Sequence, residues 1–240
     1  MATELKSKIE DRYVTVDGLR LRYIEEGQGP AAILLHGASL GSSADVFIRN
    51  LGPLAKAGIR AIAFDSPGFG LSDTPTDHSN NYRRETILKF MDAMGIQKAS
   101  LIGHSQSGGP AVQIALAKPE RVSHVIVLGT GSLLPPADDS MRTPGVTGQR
   151  QGGEPKAADM KEPTLAETRQ LLEWNLFHPE LVTEEELALR QSHSVGKCFA
   201  AHVARAALDA GLDVLCEKPL ALTQEACRRL ASHARDAGRV

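Results

Sequence analysis

Polar and apolar positions change period repeatedly along the first half of the chain. Tyr13-Val-Thr-Val16 and Leu19-Arg-Leu-Arg-Tyr-Ile24 alternate in polarity on either side of Asp17-Gly18, which predicts a hairpin. Ala31-Ala-Ile-Leu-Leu35 is apolar throughout, as a strand covered on both faces should be. Segments 59–64, 99–102 and 122–128 read the same way. Helical segments are predicted between them, around 47–57, 81–94 and 107–118. The alternation predicts an α/β fold, a mostly parallel sheet with helices on both faces. In such a sheet the functional loops lie at the C-terminal ends of the strands. Here they carry His36-Gly37, Asp65-Ser-Pro-Gly68 and Ser105.

The pattern changes after residue 128. Residues 129–160 are rich in Gly and Pro and read as loop. Thr164 with Glu167, and Thr183 with Glu186, have capping-box spacing and open two helices, the second reaching about 194. Leu165, Leu171, Leu172 and Trp174 are spaced for one apolar face. Two helices inserted after a sheet strand predict a lid. The chain is therefore divided into a core (1–130), a loop and helical lid (131–197) and a tail (198–240).

Composition narrows the function classes. The chain has 240 residues, enough for a sizeable core, and a net charge of −2, which gives no footprint for nucleic acid or an anionic membrane surface. The charged N-terminal stretch lacks an apolar signal core, and no apolar run reaches the ~18 residues of a membrane span. Cys198, Cys216 and Cys227 form no CxxC pair, so neither a disulfide framework nor a zinc site is expected. The expectation is a cytoplasmic protein acting on a small molecule, with no metal or other cofactor.

The chemistry concentrates in Leu101-Ile-Gly-His-Ser-Gln-Ser-Gly-Gly109, an apolar strand running through a Gly-x-Ser-x-small turn into a helix. That context predicts a nucleophile elbow with Ser105 exposed at the sheet edge. A neutral hydroxyl needs a histidine within reach to take its proton. The backbone N–H of Gln106 and that of Ala38 or Ser39 are the expected oxyanion donors. His104 sits on the strand side of the elbow and reads as a packing or pocket residue rather than the base. His36 reads as stabilising its turn.

With these motifs in place, residues of about 10–197 resemble the α/β-hydrolase fold superfamily. The resemblance rests on His36-Gly37, Asp65-Ser-Pro-Gly-Phe-Gly-Leu-Ser72 and Gly103-His-Ser-Gln-Ser107. The lid segment Leu171–Arg190 resembles that of carbon–carbon bond hydrolases that cleave aromatic meta-cleavage products. The resemblance implies a serine-type hydrolase acting on an ester or a vinylogous 1,5-diketone. It implies that Asp65 is a structural turn residue and that Arg190 holds a substrate carboxylate. His104, from its place beside the serine, and Trp174, from its place on the apolar face of the lid helix, are expected to line the substrate site. Three positions depart from the pattern. Ser107 replaces a glycine and is expected to crowd the turn, His104 replaces an asparagine, and Val46 replaces another.

From about Phe199 the chain resembles Gfo/Idh/MocA-type NAD(P)-dependent oxidoreductases, through Ala201–Thr223 and the tripeptide Glu217-Lys218-Pro219. No G-x-G-x-x-G follows a strand anywhere, so Lys218 has no dinucleotide site to serve. A fusion of two gene fragments would produce this pattern. The tail offers a helix (201–210), a strand (Leu212–Cys216), Glu217 just past it, and a helix (223–237). That order makes Leu212–Cys216 a candidate surrogate strand and Glu217 a candidate triad acid. No strand-end histidine follows, and His178, His193 and His233 all fall on helices or beside them. Weak turnover, or a catalytically inactive scaffold, is the corresponding expectation. The missing strands would leave an apolar sheet edge that invites a homo-oligomer.

Overall fold

The computed structural model describes residues 9–130, 160–174, 176 and 178–209. Six strands form one sheet: β1 (Arg12–Val16), β2 (Leu19–Glu26), β3 (Ala31–Leu35), β4 (Arg60–Phe64), β5 (Ala99–His104) and β6 (Val122–Leu128). Their spatial order is β1-β2-β4-β3-β5-β6. The β1–β2 and β2–β4 pairs are antiparallel; β4, β3, β5 and β6 run parallel. Asp17 and Gly18 join β1 to β2 with φ of 51° and 80°, both left-handed, as a tight hairpin turn requires.

Helices cover both faces. On one, α1 (Ile48–Lys56) and the 3₁₀ turn before it pack Leu51 and Phe47 against Ile24, Leu34, Ala61 and Ala63. On the other, α2 (Asn80–Ala93) and α3 (Gly108–Ala117) bring Ile87, Phe90, Met91, Ala111 and Ile114 onto Ile33, Leu35, Ile62 and Leu101. Phe90 stacks on Phe64 with ring centroids 4.3 Å apart. The central strands read as uninterrupted apolar runs because both of their faces are buried in this way.

A cation sits deep inside the fold. Arg22, on β2, is only 1% exposed. Its guanidinium donates to both carboxylate oxygens of Asp45 at 2.8 Å, to Asp11, and to Asp65 Oδ1 at 3.3 Å. Asp65 also accepts the N–H groups of Ala44 and Leu71, at 2.6 and 2.8 Å. The loops that follow β3 and β4 are thereby tied to one buried cation, and Asp65 is indeed built into its turn. Burial pushes the Asp65 carboxyl up to about 6 against the pull of Arg22.

Beyond residue 159 come α4 (Leu165–Trp174), α5 (Glu184–Ser192) and α6 (Gly196–Asp209). Both expected capping boxes are present, at Thr164–Glu167 and Thr183–Glu186. Between α4 and α5, Thr168 Oγ1 donates to Gln191 Oε1 and Arg169 pairs with Glu184. The apolar spacing on α4 leaves its two ends outside, with Leu165 51% and Trp174 72% exposed. The third helix begins at Gly196 rather than at 201. Gly196 adopts φ +58° after the C-cap of α5, which turns the chain straight into a new helix.

The loop predicted over 129–160 lies almost wholly outside the described residues. Leu212–Cys216, Glu217, the helix over 223–237 and His233 also lie outside them. Among the described residues β6 is an edge of the sheet, with Ile126 and Leu128 half-exposed. No described helix is long and apolar enough to cross a membrane.

Candidate active site

The turn after β5 is strained at one residue. Ser105 has φ +54°, one of two non-glycine residues with positive φ among those described. Such a conformation costs on the order of 1–3 kcal/mol and persists only where its surroundings enforce it. The enforcement is visible. A Cβ on Gly103 would lie 2.6 Å from Ser107 O, and one on Gly108 would lie 2.1 Å from Thr130 Oγ1. Gly103 lets β5 approach the start of α3 this closely, and Gly108 does the same for α3 and the end of β6. From below, Thr130 Oγ1 donates to Ser105 O at 2.8 Å.

Ser107 does not crowd the turn. Its φ of −78° is ordinary for any residue, so nothing there demands glycine. Its buried hydroxyl donates to His36 O at 2.5 Å and accepts from Arg83 Nη2 at 3.3 Å. The loop after β3 lies directly against the serine. A Cβ built on Gly37 would be 3.0 Å from Ser105 Cβ and 3.6 Å from Ser105 Oγ.

His36 is fully buried with both ring nitrogens engaged. Nε2 accepts the Ser66 N–H at 2.9 Å, so the proton resides on Nδ1, which donates to Gly37 O at 2.6 Å. Burial first, and then the charges of Arg83, Arg190 and Arg205, push its pKa down to about 3. It is a neutral strut. His104 is exposed beside the serine; partial burial and Arg190 lower its pKa.

Arg190, on α5, donates from Nη2 to Ser39 Oγ at 2.9 Å. Its Nε is buried and meets no acceptor. No carboxylate is paired with it among the described residues, and burial pushes its pKa down to about 10. From α6, Arg205 donates to Ala38 O at 2.8 Å and lies 5.0 Å from the Phe69 ring centroid. The same guanidinium meets His202 Nδ1 at 2.8 Å, so that nitrogen must accept; burial and Arg205 hold His202 down to about 4. The same helix is fastened by Lys197 Nζ to Ser72 O and by Cys198 Sγ to Gly70 O.

The structure thus gathers Ser105, Gln106, His104, Ala38, Ser39 and Arg190 at one end of the parallel strands. Trp174 is placed on the outside of α4, and Glu217 lies outside the described residues. Among the described residues no histidine is hydrogen-bonded to Ser105. His124 meets Ser100 on the sheet and His178 meets Glu180 on the surface. Sequence reasoning missed Arg83, Thr130 and Arg205. Arg205 did leave a signal: it falls on the same buried helical face as Cys198 and Ala201, an unusual place for a cation.

Comparison with known proteins agrees with this geometry. Residues 30–151 match the family model described as alpha/beta hydrolase fold, and residues 191–240 match a model described as oxidoreductase family, NAD-binding Rossmann fold. The chain is 33% identical over 193 residues to a 2-hydroxy-6-oxo-6-phenylhexa-2,4-dienoate hydrolase of Burkholderia cepacia, covering 77% of this chain and 65% of that one. It is 32% identical over 191 residues to a 2-hydroxy-6-oxononadienedioate/2-hydroxy-6-oxononatrienedioate hydrolase of Comamonas testosteroni, covering 76% and 64%. The chain therefore spans about 65% of the length of these curated relatives. Among solved structures, a meta-cleavage product hydrolase from Pseudomonas fluorescens superposes with a TM-score of 0.65 at 26% identity, covering 91% of this chain and 75% of that one. An epoxide hydrolase at 22% identity, TM-score 0.68 and coverage of 83% and 73% shares the fold. The parallel sheet, the strained serine turn and the matching family model lead to one conclusion: this chain belongs to the alpha/beta hydrolase fold family.

Proposed function

We propose that the chain is a serine-type hydrolase acting on a small substrate that carries a carboxylate, either an ester or a vinylogous 1,5-diketone. The observation that carries this reading is the left-handed Ser105, held at the C-terminal end of β5 with the backbone of Gly37 in contact with it. In this reading Ser105 Oγ attacks the substrate carbonyl. The bond to the alcohol or carbon leaving group breaks, and water then releases the acyl group. Charge developing on the carbonyl oxygen is met by the N–H of Gln106 and that of Ala38 or Ser39. Arg190 takes the substrate carboxylate: it is a half-buried guanidinium whose Nε is enclosed without an acceptor, no carboxylate pairs with it among the described residues, and the named relatives hydrolyse dienoates and dienedioates.

Ser105 also needs a base. With no histidine bonded to it among the described residues, turnover is expected to be slow. An oxyanion hole and substrate binding alone leave roughly 10³–10⁴ over water. The same observation favours a second reading, a non-catalytic scaffold that binds a carboxylate ligand.

Labelling with a fluorophosphonate probe, read by intact mass, separates the two. Stoichiometric labelling that disappears in Ser105→Ala supports the hydrolase. A folded protein that takes no label is the scaffold.

A further inference from the structure

The loop after β3 presents four successive carbonyls, and every one has a donor. His36 O accepts from Ser107 Oγ at 2.5 Å, Gly37 O from His36 Nδ1 at 2.6 Å, Ala38 O from Arg205 Nη2 at 2.8 Å, and Ser39 O from Ser42 N at 3.0 Å. A peptide unit is planar and trans, so its C=O and its N–H point in opposite directions, and no cis bond interrupts this loop. Fixing Gly37 O therefore aims the N–H of Ala38, and fixing Ala38 O aims the N–H of Ser39. Those two N–H groups meet no acceptor among the described residues. In the hydrolase reading one of them joins the Gln106 N–H in meeting the substrate oxygen.

We infer that Arg205 is a positioning residue that aims the Ser39 N–H from behind, through Ala38 O on the far side of the same peptide, and that Ser107 anchors the preceding His36–Gly37 peptide so that the loop carrying the oxyanion-binding N–H groups keeps its place against the serine. The inference rests on the hydrolase reading for what those N–H groups bind. Ser107 acts from the elbow. Two residues after Ser105, it ties the His36–Gly37 peptide to the turn that carries the serine, so that attacking atom and N–H donors form one body. Arg83 supplies a proton to the Ser107 oxygen, which leaves the Ser107 proton for His36 O. Arg205 acts from α6 and holds the Ala38–Ser39 peptide. Its side chain is 8% exposed, too enclosed to serve as a substrate ligand. The arrangement gives a function to the serine that replaces glycine at 107. It also gives one to a helix that lies within the oxidoreductase-like match.

Alignment of this kind is worth much in rate. A misplacement of about 1 Å can cost 10²-fold. The test uses the full chain with Ser107→Ala and Arg205→Gln; Ser107→Cys keeps the volume if Ser107→Ala does not fold. Two readouts are taken. Backbone order parameters of the Ala38 and Ser39 amides should fall from the rigid range of about 0.85 to below about 0.6, with β1 unchanged. At saturating fluorophosphonate the labelling rate should fall by about 10–100-fold, while the probe concentration giving half the maximal rate stays the same. Unchanged order parameters in both variants overturn the inference. A loosened loop with undiminished labelling also overturns it, since the bonds would then be structural only. If the wild type takes no label, the hydrolase reading fails on its own, and the order parameters alone decide whether the carbonyl clamp exists.

Discussion

Thr130 holds Ser105 by its carbonyl, Oγ1 to O at 2.8 Å, while the same hydroxyl lies where a side chain on Gly108 would have to go. The strained residue is thus braced through its backbone, and its hydroxyl is left out of the bracing. Thr130→Val keeps the shape and removes the donor. It should lower stability by about 1 kcal/mol in chemical denaturation. It should also slow Ser105 labelling relative to the wild type, because the released strain lets the turn relax; equal labelling rates would show that the bond has no part in holding the serine.

Arg190 should discriminate by substrate charge. Arg190→Gln is expected to raise KM by about 10–100-fold for an ester bearing a carboxylate, in line with a charged hydrogen bond worth roughly 1.5–3 kcal/mol. An uncharged ester of the same size should be affected little. Steady-state kinetics on the two esters checks this, and an equal effect on both would remove Arg190 from carboxylate recognition.

Acid should unfold the protein through its buried histidines. His36 has a folded pKa of about 3 against 6.5 unfolded, so the unfolded chain binds the extra proton between those values. Stability is therefore complete above about pH 6.5 and falls as pH drops, by up to about 1.4 kcal/mol for each unit. His202, held at about 4, contributes with the same sign. Asp65, raised to about 6, works the other way between 3.8 and 6, across a narrower window. Urea midpoints measured from pH 7.5 to pH 4.5 should fall, and the slope should be shallower in His36→Gln.

Arg22 is a cation that several carboxylates depend on. Arg22→Met removes the positive charge that offsets the Asp65 and Asp45 carboxylates. The expected loss is about 3–5 kcal/mol at neutral pH. It should shrink on acidification, when the carboxylates protonate, and a thermal melt series against pH reads both effects.

The strands, the hairpin at Asp17-Gly18 and the serine turn were legible because each is written locally, as a run of apolar residues or a glycine at a forced position. The capping boxes of α4 and α5 were legible for the same reason. Long-range partners were not. Nothing within a few residues of Arg22 announces Asp11, Asp45 and Asp65, and nothing around Arg205 announces Ala38, 167 positions away. Ser107 was read as a misfit because family spacing describes backbone shape, whereas its role is a hydrogen bond to His36 that depends on how β3 and β5 sit side by side. Trp174 was read toward the site from helical spacing, yet spacing gives a face and not its direction; the structure turns it outward.

The run from Gly196 to Asp209 has a consequence for how the chain comes apart. Sequence kinship changes from residue 191, inside α5, and the helix just past that change is bolted to the sheet end by Lys197, Cys198 and Arg205. The border between two lineages is therefore not a border between two cooperative units. Whatever melts the site loop should melt this helix in the same transition, and a nick placed at the seam in kinship would cut through the interior of a single folding body.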